Sequence, residues 1–256
     1  MKHRFENMTW PEAKAAAERG AGIILSLGST EQHGYHLPLS TDALISYQLC
    51  LQGVAGRDFI VAPQLPYGYR SRPLSGGGPT FPGTIPLSGN TFVQTVREIL
   101  DGFIQQGFRN LVIFSWHFEN KNFAYEAAFL AAEDKQDVKI VVMEDPFDSL
   151  SESTMNLLYD NDFPGWPMEH AGILETAVVL ELAPELVNMD RAVDDHAEYI
   201  PAYDLIPPPP TITTASGVLY KSKRATAGMG KVAVDEIVAH LGRVLDREFP
   251  QLSGEK

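Results

Sequence analysis

The regular alternation of short apolar runs with longer amphipathic segments constrains the fold of this chain more than any other feature. Residues 22–28 form a short apolar run bounded by glycines, which is typical of a buried strand. Other segments repeat apolar residues every three or four positions, which is typical of helices that cover a sheet. This pattern predicts an α/β fold of three layers, α/β/α, around a mainly parallel central sheet. We expect strands over 22–28, 59–62, 111–114 and 139–143, and helices over 9–20, 42–54, 90–106, 122–133 and 228–249.

The length of 256 residues fits either one large domain or two small ones. The chain has no internal repeat and no linker-like change in composition, so we predict a single domain over 1–256. Residues 63–89 are rich in proline and glycine around Ser75. We expect neither a helix nor an inner strand in that segment.

The composition argues against several classes of function. Thirty-three Asp and Glu against 20 Lys and Arg give a net charge of −13, which repels a nucleic-acid backbone. No apolar run approaches the roughly 18 residues that a membrane helix requires, and the N-terminus lacks the apolar core of a signal peptide. The single cysteine, Cys50, rules out an internal disulfide and a cysteine-based zinc cluster. We therefore expect a cytoplasmic protein whose partner is a small molecule rather than nucleic acid or a membrane.

Two pairs of Glu and His each follow a predicted strand. Glu31 and His33 come after the first strand, and His117 and Glu119 come after the third. Side chains two residues apart in extended backbone point to the same side, so each pair can converge. Ligands of open parallel sheets bind outside the carboxyl ends of the strands. The two pairs are therefore candidates for one shared site, with Asp42 at the start of the next helix.

Charge favours a metal centre for this set. Three carboxylates in one cleft, from Glu31, Asp42 and Glu119, would raise at least one pKa sharply unless cations compensate. Imidazole and carboxylate without thiolate suit Zn²⁺ or Mn²⁺. The alternative is that these are turn and capping residues, with Asp42 capping its helix.

Another histidine, His170, lies in a segment rich in Gly, Pro and Trp, just before the apolar helix that carries Glu175. Such a segment suits a binding loop, and Glu169 could influence the charge of His170; an ordinary surface histidine is the alternative. The glycine run after Ser75 lacks the Gly-Lys-Ser/Thr of a phosphate-binding loop. It is either a flexible turn or a place where backbone closely approaches a ligand. No Gly-x-Ser-x-Gly elbow is present, which argues against a serine nucleophile.

Nearly the whole chain, from about residue 9 to 248, resembles the creatininase (creatinine amidohydrolase) family. The element Glu-x-His-Gly at 31–34, followed by Asp42, carries the most specific part of the resemblance. Further matching stretches lie at 28–36, 41–42, 117–120, 67–69, 75–78, 81–84, 165–166, 169–170 and 174–176.

The resemblance implies an α/β fold with two divalent metal ions, Zn and/or Mn. By position, Glu31, Asp42 and His117 would hold one ion. His33, Asp42 and Glu119 would hold the other, with Asp42 shared. A metal-activated hydroxide would then attack the carbonyl carbon of a small polar ring.

The resemblance also implies roles in the pocket. His170, beside Glu169, matches the proton shuttle of the family. Positions that contact substrate in the family correspond to Ser75, Phe118, Trp166 and Glu169 here. Family members are typically hexamers, so a homo-oligomer is expected.

Several positions in the pocket depart from creatininase. Phe118 stands where creatininase has a tyrosine, and Pro167 stands where it has an aspartate. A second pocket tryptophan has no counterpart here, although Phe147 could partly replace it. The usual Asn-Gly before the metal-binding histidine is Ser115-Trp116. Because a site that loses polar partners discriminates against the substrate they bind, the resemblance specifies the reaction class better than the substrate.

Three functions remain open from the sequence. The first is hydrolysis of a cyclic amide, with creatinine as the family default. The second uses the same metal centre to cleave a carbon–carbon bond beside a ring ketone, as in relatives of the inosose-hydrolase type. The third is a non-catalytic metal-binding scaffold, which would have no need of clustered carboxylates beside His170.

Overall fold

Four parallel strands form the centre of the computed structural model, which describes residues 3–209 and 212–254. The strands are β1 (Gly22–Leu27), β2 (Phe59–Val61), β3 (Asn110–Ser115) and β4 (Lys139–Met143). Their order in the sheet is β2-β1-β3-β4, and every neighbouring pair is parallel. The prediction of a parallel sheet is confirmed, with each strand boundary within one residue of the expected position.

Helices cover both faces of the sheet. They are α1 (Trp10–Glu18), α2 (Thr41–Gly53), α3 (Pro73–Gly76), α4 (Gly89–Gln105), α5 (Lys121–Ala132), α6 (Glu152–Tyr159), α7 (Ile173–Leu182) and α8 (Ala227–Glu248). The five helices expected from apolar spacing are present, with ends within two residues of their predicted positions. The short α6 was not predicted, since its eight residues hold too few repeats for a clear period.

The side-chain alternation of the strands divides the core into two layers. Ile23 and Leu25 of β1 point to the face that α1, α4 and α5 cover. Ile24 of β1 and Val112 of β3 point to the opposite face, which α2, α7 and α8 cover. Because both faces are buried, the strands are apolar throughout. This is the expected three-layer α/β/α architecture.

Local capping explains where α1 begins. The Glu12 carboxylate accepts the backbone N–H of Thr9 at 2.7 Å, as in a capping box. A proline in the first turn fits there because its nitrogen needs no hydrogen-bond partner.

The segment 63–89 departs from its prediction at one point. Pro73–Gly76 form a single helical turn, α3, where no helix was expected. The turn begins with a proline, and Gly77 ends it at φ +74°, so proline and glycine delimit this turn rather than prevent it. None of the helices in the described part of the chain is long and apolar enough to cross a membrane.

Candidate metal centre

Both Glu/His pairs lie at the same edge of the sheet. In the parallel register of β1 and β3, Leu27 is paired with Ser115, so the segments that follow leave the sheet side by side. His117 Nδ1 lies 2.9 Å from Glu31 Oε1. His33 Nδ1 lies 3.2 Å from the backbone oxygen of Glu31, which orients the ring. The geometry brings together residues that are 86 positions apart in the sequence.

Asp42 joins the two pairs from the first turn of α2. One of its oxygens, Oδ1, lies 3.3 Å from His33 Nε2, and the other, Oδ2, lies 3.3 Å from His117 Nδ1. Gly28 makes this approach sterically feasible, because a Cβ at that position would lie 2.4 Å from the Ala43 Cα. Ser40, not Asp42, is the N-cap of α2. The capping alternative for Asp42 is therefore wrong.

Glu119 lies at the edge of this cluster. Its Oε2 is 3.5 Å from His117 Nε2, on the ring nitrogen that does not face Asp42. Its Oε1 accepts hydrogen bonds from the Ser75 hydroxyl and from the backbone N–H of Arg72. Glu119 therefore lines the cavity, but α3 and the residue before it hold one of its oxygens.

Three groups of side chains each place one ligand atom per residue within 4.8 Å of one another. Within the described residues these groups are Glu31, His33 and His170; Glu31, Asp42 and His117; and His33, Asp42 and Glu175. The second group is the first ligand set expected from the sequence. The third contains Glu175 in the place expected for Glu119. Glu175 was missed as a candidate, although a carboxylate within an apolar helix start was a usable indication.

Burial and charge explain the pKa shifts in the cluster. Burial raises the pKa of Glu31 to about 7, although the charge of His117 opposes the shift. Burial also disfavours ionised Asp42, but the neighbouring imidazoles outweigh it and hold its pKa well below its usual range. The protonated rings are likewise disfavoured by burial, yet the surrounding carboxylates raise the pKa of His33 and of His117 well above the ordinary value. Positive charge stabilises this cluster of carboxylates. A divalent cation would supply that charge and would compete with the protons on the His33 and His117 rings.

Several ligand atoms of the cluster make no hydrogen bond to any described residue. These are His33 Nε2, Asp42 Oδ2 and Glu119 Oε2. Buried polar atoms without a partner are costly, so they are normally satisfied by protein, water or an ion. Imidazole nitrogen and carboxylate oxygen are ligands of Zn²⁺ and Mn²⁺. The residues present fit a divalent cation.

His170 is buried against the same cluster, with its ring centroid 4.4 Å from that of His33. Its Nε2 lies 2.8 Å from the backbone oxygen of Gln32. Burial and the charge of His33 lower the pKa of His170 to about 4, so its ring is neutral near neutral pH. The interpretation of His170 as an ordinary surface histidine is therefore wrong.

Glu169, the neighbour of His170, is buried four residues before α7 begins, and its Oε1 accepts the N–H of Leu174 in the first turn of that helix at 2.8 Å. Burial and the nearby Glu175 raise the pKa of Glu169 well above its ordinary value. Glu175 differs: burial opposes its ionisation too, but the charge of His33 outweighs this and lowers its pKa. Burial and neighbouring charge thus shift the pKa values of these two carboxyl groups in opposite directions.

Aromatic side chains form one wall of the cavity. Trp116 meets the Phe147 ring edge-on at 5.6 Å, and Phe147 packs against Trp166 at 4.7 Å. Phe118 lines the same cavity and also a second, outer cleft. Pro167 lines only the outer cleft. Phe147 therefore links Trp116 to Trp166 in the aromatic wall of this cavity.

The comparisons with known proteins agree with this geometry. Residues 6–245 match the sequence model of the family described as Creatininase: Creatinine amidohydrolase. The chain belongs to the creatininase family. It is therefore a hydrolase of a family that acts on small molecules, and the family expected from the sequence is confirmed.

Two relatives illustrate the range of the creatininase family. The chain is 35% identical over 250 residues to the creatinine amidohydrolase of Pseudomonas putida, covering 95% of this chain and 96% of that protein. It is 24% identical over 190 residues to the 3-dehydro-scyllo-inosose hydrolase of Thermotoga maritima. The latter match covers 74% of this chain and 59% of the relative.

Solved creatininase structures share the fold closely. A creatininase variant complexed with creatine is 34% identical and superposes with a TM-score of 0.94, covering 98% of this chain and 100% of that one. Other solved creatininases of the same identity, each with a TM-score of 0.93, are described as Mn and Zn–Zn forms. The ligand groups of this chain suit the same divalent ions.

Proposed function

We propose that this creatininase-family chain is a binuclear metal hydrolase that opens a cyclic amide, with creatinine as the first substrate to test. The observation that carries the proposal is Asp42, whose two oxygens each face a different imidazole at 3.3 Å. A carboxylate in that position can bridge two cations. The likeness to the creatinine amidohydrolase over 95% of the chain supports the choice of substrate.

The first proposed ligand set is one of the groups that the structure brings together, whereas the second follows from the resemblance to the family. Glu31, Asp42 and His117 would hold one ion, while His33 and Asp42 would hold the second together with Glu119. Bound Zn²⁺ or Mn²⁺ lowers the pKa of a water and polarises the carbonyl oxygen of the substrate. Glu119 is already adjacent to the cavity, and its Oε2 makes no hydrogen bond to a described residue.

The chain's own residues would supply the proton transfer. In the overall reaction, water oxygen bonds to the carbonyl carbon, the carbon–nitrogen bond breaks, and the leaving nitrogen gains a proton. His170 is neutral and therefore can accept a proton and pass it on. Its Nε2 lies 2.8 Å from the Gln32 backbone oxygen and 2.9 Å from the Gln32 side-chain nitrogen, and these two contacts orient the ring.

The pocket walls would position the ring. Trp166 and Phe118 offer flat apolar faces, and Ser75 offers a hydroxyl beside Glu119. Glu169, with its raised pKa, would present a protonated carboxyl group as a donor. In this proposal the aromatic faces exclude water, while the polar groups of the cavity orient the ring.

A second function is favoured by one observation. The aromatic wall of Trp116, Phe118, Phe147 and Trp166 contributes no hydroxyl group, and Pro167 adds no acceptor to the outer cleft. A pocket with these groups could accept a cyclic ketone, whose carbon–carbon bond would break beside the carbonyl. The 3-dehydro-scyllo-inosose hydrolase among the relatives supports keeping this alternative.

Turnover of creatinine by protein reloaded with Zn²⁺ or Mn²⁺ tests the proposal directly. We expect creatine to form only with metal, and chelator-treated protein serves as the control. Protein that holds two ions per chain and leaves creatinine unchanged would contradict the proposed substrate. Cyclic ketones would then be assayed, and a ring-opened keto acid would establish the second function.

A matched variant tests the role of the wall. Phe118→Tyr adds a single hydroxyl group to the cavity without changing its metal ligands. If the missing hydroxyl group at Phe118 weakens the use of creatinine, this variant should raise kcat/KM for creatinine. An unchanged or lower value would show that Phe118 does not set the choice of substrate.

A further inference from the structure

We propose that Glu175, held by Trp116, is a positioning residue that sets the placement of His170 through the backbone of Ala171. This inference rests on the proton-transfer role proposed for His170 and deepens it. We call Trp116, Ala171 and Glu175 the carboxylate clamp.

The strained backbone at Ala171 is the first observation. Ala171 has φ +51°, a left-handed conformation that an alanine adopts only at an energetic cost, and it is fully buried. Such a conformation persists when surrounding contacts impose it. Because Ala171 directly follows His170, its backbone conformation decides where the His170 ring enters the cavity.

Glu175 supplies the contact that holds this conformation. Its Oε2 accepts the backbone N–H of Ala171 at 2.7 Å. Glu175 lies in the first turn of α7, where the helix dipole also favours a negative side chain. The bond therefore ties the strained residue to the start of a rigid, buried helix.

Trp116 fixes the other oxygen of the same carboxylate. The indole Nε1–H donates to Glu175 Oε1 at 3.0 Å, and Trp116 is only 3% exposed. Each oxygen of Glu175 thus accepts one buried N–H group. A glutamine side chain has one acceptor oxygen, so it could serve only one of these two donors.

The clamp also reaches the substrate wall and the metal cluster. Trp116 packs on Phe147, which packs on Trp166. The Glu175 carboxylate therefore contacts both this aromatic wall, through Trp116, and the backbone next to His170, through Ala171. Glu175 Oε2 is 3.6 Å from His33 Nε2, close enough for the two side chains to share a cation. Since both oxygens already accept N–H bonds, we assign Glu175 to positioning rather than to metal binding.

The test uses Glu175→Gln, Trp116→Phe and the double variant, each as the metal-loaded protein. Glu175→Gln should lower kcat by about 10- to 100-fold while leaving KM and the Mn²⁺ dissociation constant unchanged. Trp116→Phe removes the competing donor, so the amide oxygen can then serve Ala171. The fold-loss caused by Glu175→Gln should therefore be clearly smaller in the Trp116→Phe protein.

Two results would overturn the clamp. Loss of one of the two bound ions from Glu175→Gln would make Glu175 a metal ligand. An equal loss of kcat in both backgrounds would show that Trp116 and Glu175 act independently.

Ala171→Gly provides a second test if Glu175→Gln does not fold. Glycine adopts φ +51° without strain, so its backbone depends less on the clamp. Trp116→Phe should then lower kcat less in the Ala171→Gly protein than in the wild type. An equal loss in the two proteins would contradict the proposal.

Creatinine turnover by the wild-type holoenzyme shows whether a negative result contradicts the clamp or the proposed function. Absence of creatinine turnover by the wild type would contradict the function alone. In that case the NMR signals of the His170 ring, assigned with His170→Ala, decide the clamp. Glu175→Gln should shift those signals, and unchanged signals would overturn the inference.

Discussion

The position of Asp42 between two imidazoles determines the charge balance of the site. Its two oxygens lie 3.3 Å from His33 Nε2 and 3.3 Å from His117 Nδ1, within a cluster that is almost fully buried. A lone buried carboxylate would be expensive, but two imidazoles offset its charge. The ligand atoms of this arrangement also fit divalent cations, which would take the place of protons. At the residue scale, the site is therefore a set of charges that requires positive partners.

Separate substitutions of His117 and His170 distinguish a metal ligand from a residue that carries a proton. His117→Ala should remove one of two bound ions and all detectable turnover, because it deletes a nitrogen that faces both Glu31 and Asp42. His170→Ala should keep both ions and reduce kcat by about 10²- to 10⁴-fold. Metal content by elemental analysis, alongside turnover, checks both expectations. Unchanged metal content in His117→Ala, or lost metal in His170→Ala, would contradict the assigned roles.

At the scale of elements, side chains from one helix support the start of another. Glu236 of α8 accepts the Ser151 N–H at 2.8 Å and the Thr154 hydroxyl at 2.7 Å, both at the N-terminus of α6. The short α6 ends at Tyr159 and is followed by Asp160, whose φ is +49°. Because an eight-residue helix is marginal by itself, its stability depends on such contacts and on packing.

The stability contributed by Glu236 should depend on pH. Partial burial opposes its ionisation, but hydrogen bonds from Ser151 and Thr154 outweigh this and lower the pKa of Glu236. A lowered folded-state pKa stabilises the fold above the unfolded-state pKa, and that contribution is lost as pH falls through the folded-state value. Because solvent screens this partly exposed group, Glu236→Gln should cost about 0.5 kcal/mol of unfolding free energy at pH 7 and less near pH 3.

Denaturant unfolding at several pH values measures this difference. Asp235→Asn is a matched control, since Asp235 forms an exposed pair with Lys231 one helical turn away. It should change the unfolding free energy much less than Glu236→Gln does. A pH-independent cost for Glu236→Gln would show that the charge of Glu236 is not responsible.

At the scale of the whole molecule, the site joins parts of the chain that are far apart. Loops after β1 and β3, the start of α2 and the start of α7 all contribute cavity residues. The two core layers hold these elements against the two faces of the sheet. A cation bound by several of them links the fold together, so metal binding and stability should be coupled.

Removal of metal should therefore destabilise the whole protein. At a free metal concentration about 100 times the dissociation constant, binding adds about 2.7 kcal/mol to the unfolding free energy. Calorimetry of metal-loaded and chelator-treated protein should show a lower Tm without metal, restored by Zn²⁺ or Mn²⁺ but not by Mg²⁺, which prefers oxygen ligands. We also expect a single transition, in line with the predicted single domain. An unchanged Tm would contradict a metal bound by the native fold.

Much of the fold and part of the site could be predicted because they depend on local sequence. The glycine-bounded run of β1 and the spacing of α4 indicate strand and helix whatever their surroundings. Glu31 and His33 were found because residues two apart after a strand share a side. Glu175 was missed because its position at the start of an apolar helix indicates burial but not which groups the carboxylate contacts. Its partner Trp116 is 59 residues away.

By itself, the sequence determined the alternation of strands and helices, the carboxyl-end location of the Glu/His pairs and the family. These depend on periodicity, turn residues and short motifs, which act over a few neighbouring positions. Only the tertiary structure decided that Asp42 lies between two imidazoles, that Glu119 is held by Ser75 and that Glu175 joins Trp116 to Ala171. Those contacts arise when α2, α3 and α7 pack at the edge of the sheet. They depend on the direction and depth of each side chain, which local sequence does not specify.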